Sequence, residues 1–131
     1  MTRGLRNNNP GNIRKGIDWD GLSEDQDNDS SFAQFQTPEY GIRAMFKIMK
    51  TYRTKYDINT IEGIVTRWAP PLENDTEEYI SFVETYTGLD RAEELEDNDM
   101  SDVVMSIIHM ENGLQPYPLV VVQAGRALAY G

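Results

Sequence analysis

Apolar residues recur with helical spacing in five stretches of the chain. Between Pro38 and Tyr56, the residues Ile42, Met45, Met49, Tyr52 and Tyr56 fall on one side, and Arg43, Lys47, Lys50 and Thr54 fall on the other. That period predicts an amphipathic helix over 38–56, and proline suits its first turn. Ile61, Ile64, Val65 and Trp68 predict a second helix over 60–68, stopped by Pro70-Pro71. A third follows Asn74 as the expected N-cap, with Glu77 as its box-like partner. Tyr79, Phe82, Val83 and Tyr86 make its inner face, and Gly88 ends it. A fourth begins near Asp99 and runs to Asn112, with Gly113 as its stop, and a fifth covers 118–130.

The first third of the chain has no such period. Asn7-Asn8-Asn9-Pro10-Gly11-Asn12 is a turn signature. Ile13 to Trp19 and Ser31 to Gln36 predict short strands around an acidic loop, a small hairpin at most. The expected class is therefore mainly α (α+β): a helical domain with a small β lobe in its N-terminal third. No internal repeat and no Gly/Ser-rich linker interrupts the sequence, so a single domain over 1–131 is expected.

Composition narrows the chemistry. The chain has no cysteine, which removes disulfides, thiol nucleophiles and thiolate metal sites. Its single histidine, His109, makes a histidine-based metal site improbable, so no metal and no cofactor is expected. Twenty-two acids against twelve bases give a net charge of -10, the opposite of what a nucleic-acid or polybasic membrane binder needs. No apolar run approaches the roughly 20 residues that span a bilayer, so no membrane insertion is expected. The arginines of the first residues are followed by no apolar run, so no secretory leader is read there. Synthesis in a cytoplasm without export by the usual route is the expectation. The charge is also segregated: residues 1–17 hold Arg3, Arg6, Arg14 and Lys15 and no acid, whereas 18–29 hold six acids and no base.

One residue breaks a hydrophobic pattern. In the fourth helix Val104, Ile107 and Ile108 form a stripe whose next member is Glu111. A carboxyl there continues an apolar face, in the last turn, beside unpaired carbonyls and the negative end of the helix dipole. Both effects disfavour the ionised form, and a carboxyl that keeps its proton is what general acid catalysis requires. The plainer alternative is a terminal glutamate turned into solvent. A second polar constellation is Asn7, Asn8, Asn9, Asn12 and Arg14. Amides in a tight turn can recognise the amide and hydroxyls of an N-acetylated sugar, or can simply build the turn. Trp19, Tyr40 and Trp68 are candidate stacking platforms for a sugar, or core residues.

The blocks Arg6–Arg14, Trp19-Asp20-Gly21-Leu22, Phe32-Ala33-Gln34-Phe35, Thr37–Ala44, Arg67-Trp68-Ala69-Pro70-Pro71, Glu73–Thr76, Tyr79-Ile80 and Glu111-Asn112-Gly113 resemble the phage and prophage structural protein P5-like family. The resemblance runs over nearly the whole chain. It implies a lysozyme-like domain acting on peptidoglycan, in the virion or in the host cytoplasm before lysis, with other virion proteins as further partners. A second resemblance is to the glucosaminidases and soluble lytic transglycosylases of the lysozyme superfamily. There a helix ends in the catalytic Glu, and an Asn-rich turn, a small β lobe and an aromatic segment follow it. Here the same parts occur in a rotated order, which implies that Glu111 lies beside the Asn7–Arg14 turn although they stand at opposite ends of the chain.

That resemblance implies cleavage of the MurNAc-GlcNAc β-1,4 bond with Glu111 as a single glutamate general acid. Asn7, Asn8, Asn9, Asn12, Arg14, Tyr40, Trp68 and Asn112 are the substrate-binding candidates. A hydrolase would add a second carboxylate, about 5–5.5 Å away for retention or about 6.5–9.5 Å for inversion. Asp20, Glu24, Asp25 and Asp27 in the acidic loop, with Glu73 and Asp75 beyond it, are available, and nothing in the sequence chooses among them. Glu24 stands as the second catalytic candidate. A transglycosylase would need Glu111 alone. The rival reading is a non-catalytic virion or wall-binding component on a lysozyme-like fold.

Overall fold

The computed structural model describes residues 1–130; Gly131, the last residue of the expected domain, lies outside them. Six helices are present among the described residues: α1 (Arg3–Arg6), α2 (Pro38–Tyr56), α3 (Ile61–Trp68), α4 (Thr76–Thr87), α5 (Asp97–Asn112) and α6 (Leu119–Tyr130). The molecule is mainly helical, as the periodicity predicts. None of these helices is long and apolar enough to cross a membrane.

The long α2 supplies the centre of the core through Ile42, Met45, Phe46 and Met49, all essentially without solvent contact. It packs against α6 on one side and α5 on another, while α4 bridges α3 and α5. Close helix contact depends on small residues. A Cβ on Gly125 of α6 would come within 2.5 Å of Ile42 Cγ2, and one on Gly41 of α2 within 2.0 Å of the Asn8 carbonyl oxygen. The second contact brings the N-terminal turn directly onto α2.

Helix starts follow capping chemistry. Thr37 accepts from the Tyr40 N–H, and Thr60 from the Gly63 N–H. Two starts differ from expectation. Asp75, not Asn74, caps α4 and accepts from Glu78 N, while Asn74 donates its amide back to the Pro70 carbonyl. Helix α5 begins at Asp97 because Asp99 accepts from the Glu96 N–H and so closes the turn ahead of it. On α4, Tyr79, Ile80 and Val83 are buried, whereas Tyr86 is exposed.

The expected β lobe is absent. Residues 13–36 form an irregular loop with no strand and only two isolated antiparallel bridges, Arg14–Phe32 and Leu22–Phe35. Side chains here satisfy much of what a ladder would otherwise satisfy. Asn9 donates to the Ile13 and Ala33 carbonyls and accepts from the Ile13 N–H. Gln26 donates to the Ser23 and Gln34 carbonyls and accepts from the Gln34 N–H. Asp29 accepts from the Ser31 and Phe32 N–H groups. Strand propensity at both ends of the loop is thus overridden by local amide and carboxylate partners.

Asp29 is the anchor of this loop. Its side chain is 2% exposed and meets Arg3 through two contacts of 2.6 Å. The Arg3 guanidinium holds the Asp29 carboxyl well below the usual carboxylate range, helped by the Phe32 and Ser31 N–H groups and the Asn7 amide and opposed by desolvation. A carboxyl whose folded pKa lies below its unfolded value, about 3.9, stabilises the fold above that pH. This stabilisation drains away as the medium is acidified toward the folded value. Asp29→Asn should therefore lower the melting temperature at neutral pH by on the order of 10 °C and flatten its fall below about pH 4. Thermal melts of both proteins across pH 2–7 measure this. An acid limb of equal steepness in the variant would contradict it.

Candidate active site

Helix α5 ends where its sequence says it should. Gly113 adopts the left-handed conformation (φ 76°) and donates its N–H to the His109 carbonyl. Asn112, buried beside it, donates to the Ile108 carbonyl and, across the chain, to the Pro10 carbonyl, both at 2.8 Å. Its Oδ1 accepts from the Thr2 hydroxyl at 2.7 Å. Asn112 thereby fastens the end of α5 to the N-terminal turn.

That fastening sets the position of Glu111. Its Oε1 accepts from Asn12 Nδ2 at 3.0 Å, and its Oε2 accepts from the Tyr79 hydroxyl of α4 at 2.9 Å. Both oxygens are held, one by the N-terminal turn and one by α4, and the residue is half-buried. Tyr79 is 3% exposed; burial pushes its phenol pKa up, and the neighbouring Glu111 charge pushes it further. The hydroxyl therefore stays a donor at any pH the protein meets.

Glu111 opens onto a cleft of about 230 Å³. Asn12, Arg14, Phe32, Trp68 and Glu73 line it with Glu111. The Trp68 ring lies so close to the turn that a Cβ on Gly11 would come within 2.9 Å of its Cζ2. Arg14 reaches to 3.8 Å from the Glu73 carboxylate and sits 5.5 Å above the Phe32 ring. Among the described residues no group of three or more His, Asp or Glu side chains is arranged to hold a metal ion.

The sequence candidates separate into two sets. Glu111, Asn12, Arg14 and Trp68 meet at the cleft. Asn7, Asn8, Asn9 and Asn112 give their amide donors to internal partners: Asn7 to Asp29, Asn8 to the Phe35 and Gln36 carbonyls, Asn9 to Ile13 and Ala33, and Asn112 as described. Asn7, Asn8 and Asn9 build the turn, Asn112 ties α5 to it, and together they present Asn12, whose left-handed backbone (φ 53°) asparagine tolerates well. Tyr40 packs over Gly21 and lines a separate groove between the start of α2 and α6. Glu24 is exposed on the irregular loop and does not line the cleft; the second carboxylate that does is Glu73. His109 packs at an angle against Phe82 and Tyr86, with ring centroids 5.4 and 5.6 Å away. Tyr79 is the site residue that the periodicity hides, because a tyrosine on an inner stripe reads as core. The signal was its hydroxyl: a buried phenol needs a partner.

Fold and cleft together define a helical domain with one doubly held glutamate at a helix end, facing a polar groove. No protein-family model matches the chain. It is 48% identical over 127 residues to Protein P5 of Pseudoalteromonas phage PM2, an alignment covering 94% of this chain and 79% of the relative. The chain belongs to the family of that phage protein.

Proposed function

We propose that this protein cleaves the glycan strand of bacterial peptidoglycan at the MurNAc-GlcNAc β-1,4 bond, with Glu111 as the general acid of a lysozyme-like domain. The observation that carries this reading is the pairing of Glu111 with Asn12. A carboxyl that interrupts a helical apolar stripe is held at 3.0 Å by the Asn-rich turn from the other end of the chain. That juxtaposition is what a rotated order of lysozyme-superfamily parts requires. In the proposed reaction Glu111 gives its proton to the glycosidic oxygen, the C1–O bond breaks, and positive charge develops on the ring. The substrate's own 6-hydroxyl then attacks C1 and returns a proton to Glu111, leaving a 1,6-anhydro end. Asn12 and Tyr79 orient the carboxyl, and Trp68 offers an apolar face to the sugar. Single-glutamate chemistry is favoured because Glu24 stands outside the cleft and Glu73 already faces Arg14. Membership in a family with a phage member fits a place in the particle, among other virion proteins, or in the host before lysis.

The test is to incubate the protein with purified sacculi and weigh the released fragments by mass spectrometry. Anhydro-ended fragments are expected; fragments heavier by one water would instead point to hydrolysis with Glu73 as the second carboxylate. No release from sacculi of any wall chemistry would overturn the enzymatic reading. One observation favours a second reading, a wall-binding virion component: three of the turn's asparagines, Asn7, Asn8 and Asn9, spend their amide donors on internal bonds. That reading expects sedimentation with sacculi but no soluble product.

A further inference from the structure

The glutamate cleft does not end at Trp68. A second groove of about 200 Å³ shares Gly11, Asn12, Arg14 and Trp68 with it and continues to Ile48, Tyr52 and Arg67. Its lining contains two guanidinium groups and no carboxylate. In a chain with 22 acids and 12 bases that is a local inversion of charge. Arg67 is the notable member. No carboxylate lies within 4.0 Å of it among the described residues, whereas Arg3, Arg14, Arg43 and Arg53 each have one and Arg91 has two. It is held by aromatic rings instead, 3.9 Å above Tyr56 and 5.5 Å from Tyr52. Stacking fixes the plane of the guanidinium while leaving its N–H donors unclaimed by a charge.

Building on the glycan-cleaving reading, we propose that this groove is a subsite for a carboxylate-bearing arm of the glycan, with Arg67 as its principal anion contact. An acidic peptide substituent on the sugar next to the scissile bond matches the site's chemistry. Trp68 and Ile48 give an apolar wall for the arm's carbon atoms, and a planar carboxylate meets the guanidinium in two-point fashion. The arrangement also answers the charge conflict of an acidic protein acting on an anionic polymer. The body of the chain repels, and the positive groove admits the substrate in one register, with the sugar bond toward Glu111.

The test uses a peptide-bearing wall tetrasaccharide in two forms, with its carboxylates free and with the same carboxylates converted to amides. Binding is measured by calorimetry to Glu111→Gln protein, so that no turnover intervenes. The free acid is expected to bind about ten-fold more tightly than the amide, as a hydrogen bond to a charged group would give. Adding Arg67→Gln should bring that ratio to near parity. Arg67→Lys, which keeps the charge but loses the planar stack, should retain only part of it. Equal binding of the two forms, or a preference that survives Arg67→Gln, overturns the subsite while leaving the glycan reading standing. Failure of both forms to bind removes the glycan reading together with the subsite. Because Arg67 is exposed, unchanged melting temperatures confirm that the variants fold.

Discussion

Glu111→Gln should reduce release of wall fragments by about a hundred- to ten-thousand-fold while leaving the fold intact. The size of the effect follows from the role: removing the only proton donor at the scissile bond forfeits the general acid term, worth about 10²–10⁴. The preservation of structure follows from the hydrogen bonds. Glutamine keeps an oxygen to accept from Asn12 Nδ2, and its new amide N–H can donate to the Tyr79 hydroxyl, which accepts as readily as it donates. The network keeps both contacts with one reversed, and the Tyr79 proton gives up its acceptor, a modest local cost. A melting temperature within a few degrees of the parent and retained binding to sacculi are the accompanying results. Clearing of sacculi at an undiminished rate by the variant would remove Glu111 from the chemistry.

What the sequence disclosed, and what it concealed, divides along physical lines. Helices α2 to α6 were legible because each carries several turns of one-sided hydrophobicity, and because proline and glycine mark their limits. Helix α1 has only four residues, Arg3–Arg6, too few for any period to register. Glu111 stood out because a charge had replaced a hydrophobe in a repeating stripe. The irregular loop was misread because Ile13–Trp19 and Ser31–Gln36 have the composition of strands. Their backbone groups are met by Asn9, Gln26 and Asp29, and strand composition alone does not say that nearby side chains will take a ladder's place. Arg67 was invisible for a related reason: its meaning depends on the absence of a nearby acid, a property of the packed molecule.

The largest stability effect is expected at Asn9, and its direction separates hydrogen bonding from packing. The side chain has no solvent exposure and makes three bonds of 2.9–3.0 Å: two donated by Nδ2 to the carbonyls of Ile13 and Ala33, and one accepted by Oδ1 from the Ile13 N–H. Asn9→Ala would leave the Ala33 carbonyl and the Ile13 N–H buried without partners, at roughly 1–3 kcal/mol each before relaxation, while the Ile13 carbonyl keeps the Ala33 N–H. Asn9→Asp keeps the shape but turns the donor into an acceptor. Two carbonyl oxygens would then face a carboxylate oxygen with no proton between them, in a site that cannot hydrate the charge. The aspartate variant should therefore be the less stable of the two at neutral pH, even though it is the closer in volume. It should recover part of the difference on acidification, because a protonated carboxyl can again donate to one carbonyl. Urea unfolding at pH 7 and pH 4 measures both statements. An aspartate variant more stable than the alanine variant at pH 7 would mean that filling the space, not satisfying the loop's backbone, is what Asn9 contributes. If the backbone account holds, loss of Asn9 also loosens the turn that presents Asn12 to Glu111, so stability and wall cleavage should fall together.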